Sequence, residues 1–163
     1  MKHSNIYDAI DYFLDDNKLK AGMTRVLEIT NELKMKPALI SINTFKCAYK
    51  GKKVIHFSIG GRRNFIKNCL VVGVEIADKD DLEQIILSQP DDVINEFMNR
   101  EKTHCVSCKS HCDNSIKIKI FGNEHHFCSR YNYMCSNPTP EQFKMIEKFV
   151  NIRIDYINSK AWV

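Results

Sequence analysis

Ile42-Asn43-Thr44-Phe45-Lys46-Cys47-Ala48-Tyr49-Lys50-Gly51-Lys52-Lys53-Val54-Ile55-His56-Phe57-Ser58-Ile59 decides the fold class. Phe45, Cys47 and Tyr49 alternate with Lys46 and Lys50, and Ile55, Phe57 and Ile59 alternate again after Gly51-Lys52. A period of two on both sides of a glycine turn predicts a β-hairpin over 42–59, with one apolar face and one basic face. His56 falls opposite Phe57 and is expected to point outward. Asn68 to Ile76, with Leu70, Val72, Val74 and Ile76 on one side, supplies a third strand. The sheet is therefore antiparallel.

Helical periods flank this sheet. Ile6, Ala9, Ile10, Phe13 and Leu14 recur at helical spacing behind Asn5, a capping residue. A second helix is expected over about Met23 to Lys34, closed by Pro37, and the two form an N-terminal hairpin. Asp78 should cap a short acidic helix to about Leu87, and Pro90 opens another to about Asn99. Ile116, Ile118 and Ile120 alternate ahead of Gly122-Asn123, a two-residue turn signal, and Glu124 to Cys128 returns. Thr139-Pro140-Glu141-Gln142 forms a capping box, and the helix behind it is apolar on two faces as far as Asn158. A helix buried on two sides belongs at the centre, packed on the sheet. The expectation is a single α+β domain over 1–163: N-terminal helices 1–36, sheet and acidic helices 37–100, a cysteine-rich segment 101–137 and a C-terminal helix 138–163.

The chain has 163 residues, 44% hydrophobic and 27% charged, which suits one core and excludes disorder. No apolar run approaches a membrane span, and the acidic N-terminus does not resemble a secretory signal. The expected address is cytoplasmic. There, seven cysteines call for a reason other than disulfides.

Cys105-Val106-Ser107-Cys108-Lys109-Ser110-His111-Cys112 is the most specific feature. A Cys-x2-Cys turn aims two thiolates at one side, and Cys112 adds a third. One distant partner then completes a tetrahedral site of four cysteines for structural zinc. Cys128, at the end of the returning hairpin, can supply it; pairing about Gly122-Asn123 sets it opposite Lys117. Cys135 is the alternative fourth ligand, level with Ser110 if the ladder continued through the irregular stretch from Arg130 to Asn137. Histidines 104, 111, 125 and 126 compete. An iron–sulfur cluster fits less well, because its common run keeps two-residue gaps throughout. A thiol–disulfide motif belongs after a strand at a helix start, and this pair follows a helix. Cys47 and Cys69 read as small buried hydrophobes.

The basic hairpin Tyr49-Lys50-Gly51-Lys52-Lys53-Val54, the spacing Cys105-x2-Cys108-x3-Cys112, then Gly122 with Cys128 and Asn137-Pro138 before a long helix, resembles a group of small uncharacterised clostridial (Firmicutes) proteins over about residues 37 to 157. The first part is faintly similar to the YdhG-like domains of unknown function. The resemblance implies a cytoplasmic bacterial protein with a cysteine-bound metal. It brings no activity.

The formal net charge is only +4 but is unevenly spread. From Leu33 to Val74 there are nine basic residues and no acid; from Glu75 to Glu101 there are nine acids against Lys79 and Arg100. Lys46, Lys50, Arg62 and Arg63 are the candidate anion- or partner-binding residues, since arginine suits bidentate anion contacts. The rival expectation is neutralisation of these charges by the acidic helices. No Walker, Gly-x-Ser-x-Gly, His-Glu-x-x-His or dinucleotide motif is present. The functional expectation is a zinc-stabilised binding module for a small anionic ligand or an acidic protein surface. A nucleic-acid-binding regulator is the alternative and an enzyme with thiol chemistry the second.

Overall fold

In a computed structural model, residues 4–61, 65–99, 115–120, 122–128 and 132–161 are described. They form an α+β arrangement in which a five-stranded antiparallel sheet is covered by helices. Helix α1 (Ile6–Phe13) starts as expected, with Asn5 Oδ1 accepting from Tyr7 N. Helix α2 (Asn17–Glu32) starts six residues before the predicted Met23, because Asp16 caps it by accepting from Lys18 N and Leu19 N. Asn31 Nδ2 donates to Tyr7 Oη at 3.2 Å, so α1 and α2 do fold back on each other.

The predicted hairpin is present as β2 (Thr44–Tyr49) and β3 (Lys52–Ile59). Lys50 and Gly51 turn it with φ of 47° and 77°. Two successive positive φ values match the right-handed twist of the flanking strands, which is why glycine is useful here. The residues before it hold a strand the periodicity did not resolve, β1 (Ala38–Ser41), joined to β2 through Ile42 and Asn43 (φ 48°). β4 (Leu70–Val74) pairs with β3 as expected.

The main departure is β7 (Tyr133–Ser136), in a stretch expected to be irregular. It pairs antiparallel with β4, giving the order β1-β2-β3-β4-β7. Two asparagines bracket this pairing. Asn132 Oδ1 accepts from Ile76 N and Ala77 N beyond one end of β4, and Asn137 Oδ1 accepts from Leu70 N at the other. Both supply acceptors to backbone groups at the ends of the strand, where the ladder gives none.

Helix α5 (Pro140–Lys160) carries the predicted capping box, with Gln142 N donating to Thr139 Oγ1 and Thr139 N to Gln142 Oε1. It packs on the sheet and beside α2. Gly22 meets the Phe143 ring, and Arg25 Nε lies 3.4 Å from Glu147 Oε1, so the two helices run parallel. The core holds Phe45, Cys47, Ile55, Phe57, Ile59, Leu70, Val72, Val74, Tyr133 and Cys135 from the sheet. Phe143, Ile146, Phe149 and Val150 meet them from α5.

Helix α3 (Leu82–Leu87) is shorter than expected. Asp78 does not cap it; Asp81 stands at the N-cap and makes no side-chain cap bond. Asp78 instead accepts from Arg153 Nη1 at 3.2 Å. Helix α4 (Asp91–Asn99) follows Pro90 as predicted. A separate hairpin, β5 (Ser115–Ile120) and β6 (Asn123–Cys128), is anchored by buried Ile120 and Phe127. The Phe127 ring stacks on Phe97 of α4, 4.4 Å between centroids.

Candidate functional site

The hairpin register corrects the sequence expectation. Ile120 pairs with Asn123, so the turn comes one residue earlier than Gly122-Asn123. Every pairing therefore shifts by two, and Cys128 lies opposite Ser115 instead of Lys117. Ser115 follows Cys112 by three residues, a span of at most about 11 Å of extended chain. The triplet Cys105, Cys108 and Cys112 lies outside the described residues. Among the described residues, no three His, Cys, Asp or Glu side chains are placed to hold a metal ion.

Cys135 belongs to a different sheet. It pairs with Val72 and is fully buried, its thiol 3.4 Å from Gln142 Oε1. Cys135 therefore does not sit on an extension of the β5–β6 ladder level with Ser110. His126 is exposed and lies 3.3 Å from Glu124 Oε1, which also meets Lys117 Nζ at 3.1 Å. Cys47 is a buried core residue, as expected, and burial pushes its thiol up to about 12. Burial raises Cys69 as well. Neither has the thiolate character that a nucleophile needs at neutral pH.

Of the four candidate partner-binding residues, Lys46 and Lys50 are described, and Arg62 and Arg63 lie outside the described residues. Lys46 is exposed on β2, across from His56 and beside Ala38 of β1. Lys50 Nζ donates to Asn158 Oδ1 at 2.8 Å and sits 5.4 Å from the Tyr49 ring. His56 is not exposed as expected. It is 3% accessible, with Nδ1 3.3 Å from the carbonyl of Gly73, the residue across from it, which has no side chain to compete for that place.

Among the described residues, no ion pair joins the acidic helices to the basic stretch. Asp81 meets Lys160 at 3.0 Å and accepts from Tyr156 Oη at 2.6 Å; Asp92 meets Lys148. The Tyr156 and Lys160 bonds hold the Asp81 carboxyl below its usual range, while burial and Asp81 push the Tyr156 hydroxyl up. Glu75 and Asp78 surround the guanidinium of Arg153, which also donates to the Lys53 carbonyl. From the basic stretch, Lys53 reaches Glu75 at 2.9 Å, and Lys67 pairs with Asp15 outside the acidic helices. Lys34, Lys36, Lys46 and Lys52 are exposed and form no ion pair among the described residues.

Sequence reasoning missed Arg153 and the two bracketing asparagines. A helix apolar on two faces leaves little outward arc, so an arginine between Ile152 and Ile154 had to find partners indoors. That signal was present. The bracketing role of Asn132 and Asn137 depends on a distant strand and has no local signature.

A groove of about 560 Å³ lies between α2 and α5, floored by Ala21, Gly22 and Phe143. A shallower one beside α3 is lined by Asp80, Glu83 and Leu87. Neither is lined by Lys46 or Lys50. No helix among the described residues is long and apolar enough to cross a membrane. Set against family models, curated proteins and solved structures, the chain matches none of them.

Proposed function

We propose that the chain is a zinc-stabilised binding module whose basic sheet surface receives an acidic protein partner. One observation carries the reading: Asp78, Asp81 and Asp92 of the acidic stretch pair with α5, through Arg153, Lys160 and Lys148, while Lys34, Lys36, Lys46 and Lys52 stand exposed. Exposed charges of one sign steer and orient a partner of the other sign. These lysines lie on β2, on β3 and in the connection ahead of β1, and line neither groove, which favours a surface over a small anionic ligand.

Zinc is proposed to be held by Cys105, Cys108, Cys112 and Cys128. The chemistry of the donor set supports it, since four thiolates fill a tetrahedral sphere and leave no place for a reactive water. The Ser115–Cys128 pairing supports Cys128 over Cys135, because it sets Cys128 near the chain leaving Cys112. The metal's role is then to fix the segment between α4 and β7.

The test is salt-dependent retention on a heparin column, with an acidic protein as second bait. Reversing the charge at Lys46, Lys50, Arg62 and Arg63 together is expected to abolish retention while the protein melts as before. Retention that survives the reversal overturns the surface. Preferential capture of single-stranded nucleic acid over acidic protein turns the reading to the nucleic-acid alternative.

A further inference from the structure

We infer that β1 is a docking edge for an extended peptide in which acidic and apolar side chains alternate, added to the sheet as a sixth strand. The inference rests on the basic-surface reading above and names the partner of that surface. Three observations meet at this edge. First, β1 closes one side of the sheet, and among the described residues no strand pairs with its outer side. Its outward N–H and C=O groups are a ready template for another strand. Second, exposed apolar side chains stand at this end of the sheet: Ile40 of β1 is 46% exposed, and Ile42 in the turn that follows it 41%. Third, lysines surround it. Lys34 and Lys36 precede β1, Lys46 is paired with Ala38 next to it, and none of the three forms an ion pair among the described residues.

These features specify one occupant. Main-chain hydrogen bonds require an extended segment. Because strand side chains alternate, every second residue of that segment falls on the face carrying Ala38 and Lys46. Acidic residues there meet the lysines, and the apolar residues between them fall on the opposite face, beside Leu39, which is partly buried against the core. A second copy of the chain fits poorly. No acid stands between Leu33 and Val74, so β1 of a second copy offers these lysines no counter-charge. Pro37 and the irregular register between Leu39 and Ser41 also guard the edge against long self-pairing.

The experiment uses the full chain against a displayed library of ten-residue peptides, restricted to Asp or Glu at alternate positions and Val, Ile, Leu, Phe or Tyr between them. Enriched peptides are then synthesised in two forms, plain and N-methylated at alternate residues, and binding is followed by fluorescence anisotropy. N-methylation removes backbone donors and leaves the charges untouched. The expected result is enrichment, and binding at least about tenfold weaker for the N-methylated form, as loss of one or two main-chain bonds implies. The exposed double variant Lys36→Glu/Lys46→Glu is expected to lose binding and to melt with the parent.

Equal binding of plain and N-methylated peptides, abolished by the double variant, overturns strand addition but keeps the basic surface. No enrichment, with heparin retention still sensitive to charge reversal, does the same. Loss of both overturns both readings. Displacement of the peptide by a single-stranded oligonucleotide, or concentration-dependent dimers in sedimentation that Ile40→Ser dissolves, also overturns the peptide as occupant.

Discussion

Gly22 shows how one missing side chain sets a helix crossing. A Cβ built there lies 2.1 Å from a Phe143 ring carbon, and Phe143 is 3% exposed. In an isolated helix Gly22→Ala gains about 1 kcal/mol of propensity. Here overpacking opposes it by about 1–3 kcal/mol, and at 2.1 Å the upper part of that range applies. The expected outcome is a lower urea midpoint for Gly22→Ala, and a midpoint equal to or above the parent contradicts the close packing of α2 on α5. Cys47 gives a pH prediction. Its folded thiol is raised from 9.0 to about 12, so the folded state holds the proton after the unfolded state has lost it. Its stabilising contribution is complete below about pH 9 and is lost as pH rises toward 12, at up to about 1.4 kcal/mol per pH unit. The raised Tyr156 hydroxyl acts with the same sign. Stability measured by urea titration should therefore fall through this window in the parent and fall less steeply in Cys47→Ala. An identical pH slope in the two proteins removes Cys47 from the account.

At the scale of elements, the sequence was legible wherever a local rule decided. The capping box fixed the start of α5, the alternation of Phe45 to Ile59 fixed β2 and β3, and Pro90 announced α4. It was not legible where a distant group decided. β7 has four residues and no strong alternation, and it exists because β4 offers it an edge and two asparagines tie its ends. The β5–β6 turn was placed one residue late because Gly122-Asn123 is the stronger turn signal on propensity. The two registers differ by two residues and leave each residue on the same face, so the alternation could not choose between them; the observed one pairs Phe127 with Ile116. Of the candidate site, the basic character was legible; that the acidic stretch pairs with α5 instead of with these lysines was not, since ion pairing between distant elements is a tertiary fact. Asn132 tests the bracket. It is buried and accepts from two backbone N–H groups, so Asn132→Ala leaves both without that acceptor. A loss of about 1–3 kcal/mol is expected, with faster amide exchange at Ile76 and Ala77. Exchange at those two amides unchanged from the parent contradicts the bracketing role.

For the whole molecule, the decisive quantity is how far the proposed zinc would hold the segment between α4 and β7 to the rest. The β5–β6 hairpin is tied to the main body by Phe127 on Phe97 and by buried Ile120. Isolated two-stranded hairpins are marginal in water, so this contact and the proposed zinc act together. If Cys105, Cys108, Cys112 and Cys128 bind zinc, metal binding is partly folding free energy. Chelation should then lower the Tm, and it should do so unevenly. Amide protection is expected to collapse first in residues 115–128, while the β2–β3 and β3–β4 ladders, buried beneath α5, keep theirs. Cys108→Ser is expected to lose about one equivalent of zinc by elemental analysis and to reproduce the chelated Tm. Cys135→Ala separates the two candidate fourth ligands: it should retain the metal and lose stability through a cavity under Gln142, whereas Cys128→Ala should lose the metal. Metal lost from Cys135→Ala and kept in Cys128→Ala reverses that assignment. A protein purified under reducing, chelator-free conditions with neither zinc nor iron removes the metal from the account altogether, and the hairpin must then stand on its aromatic contact alone.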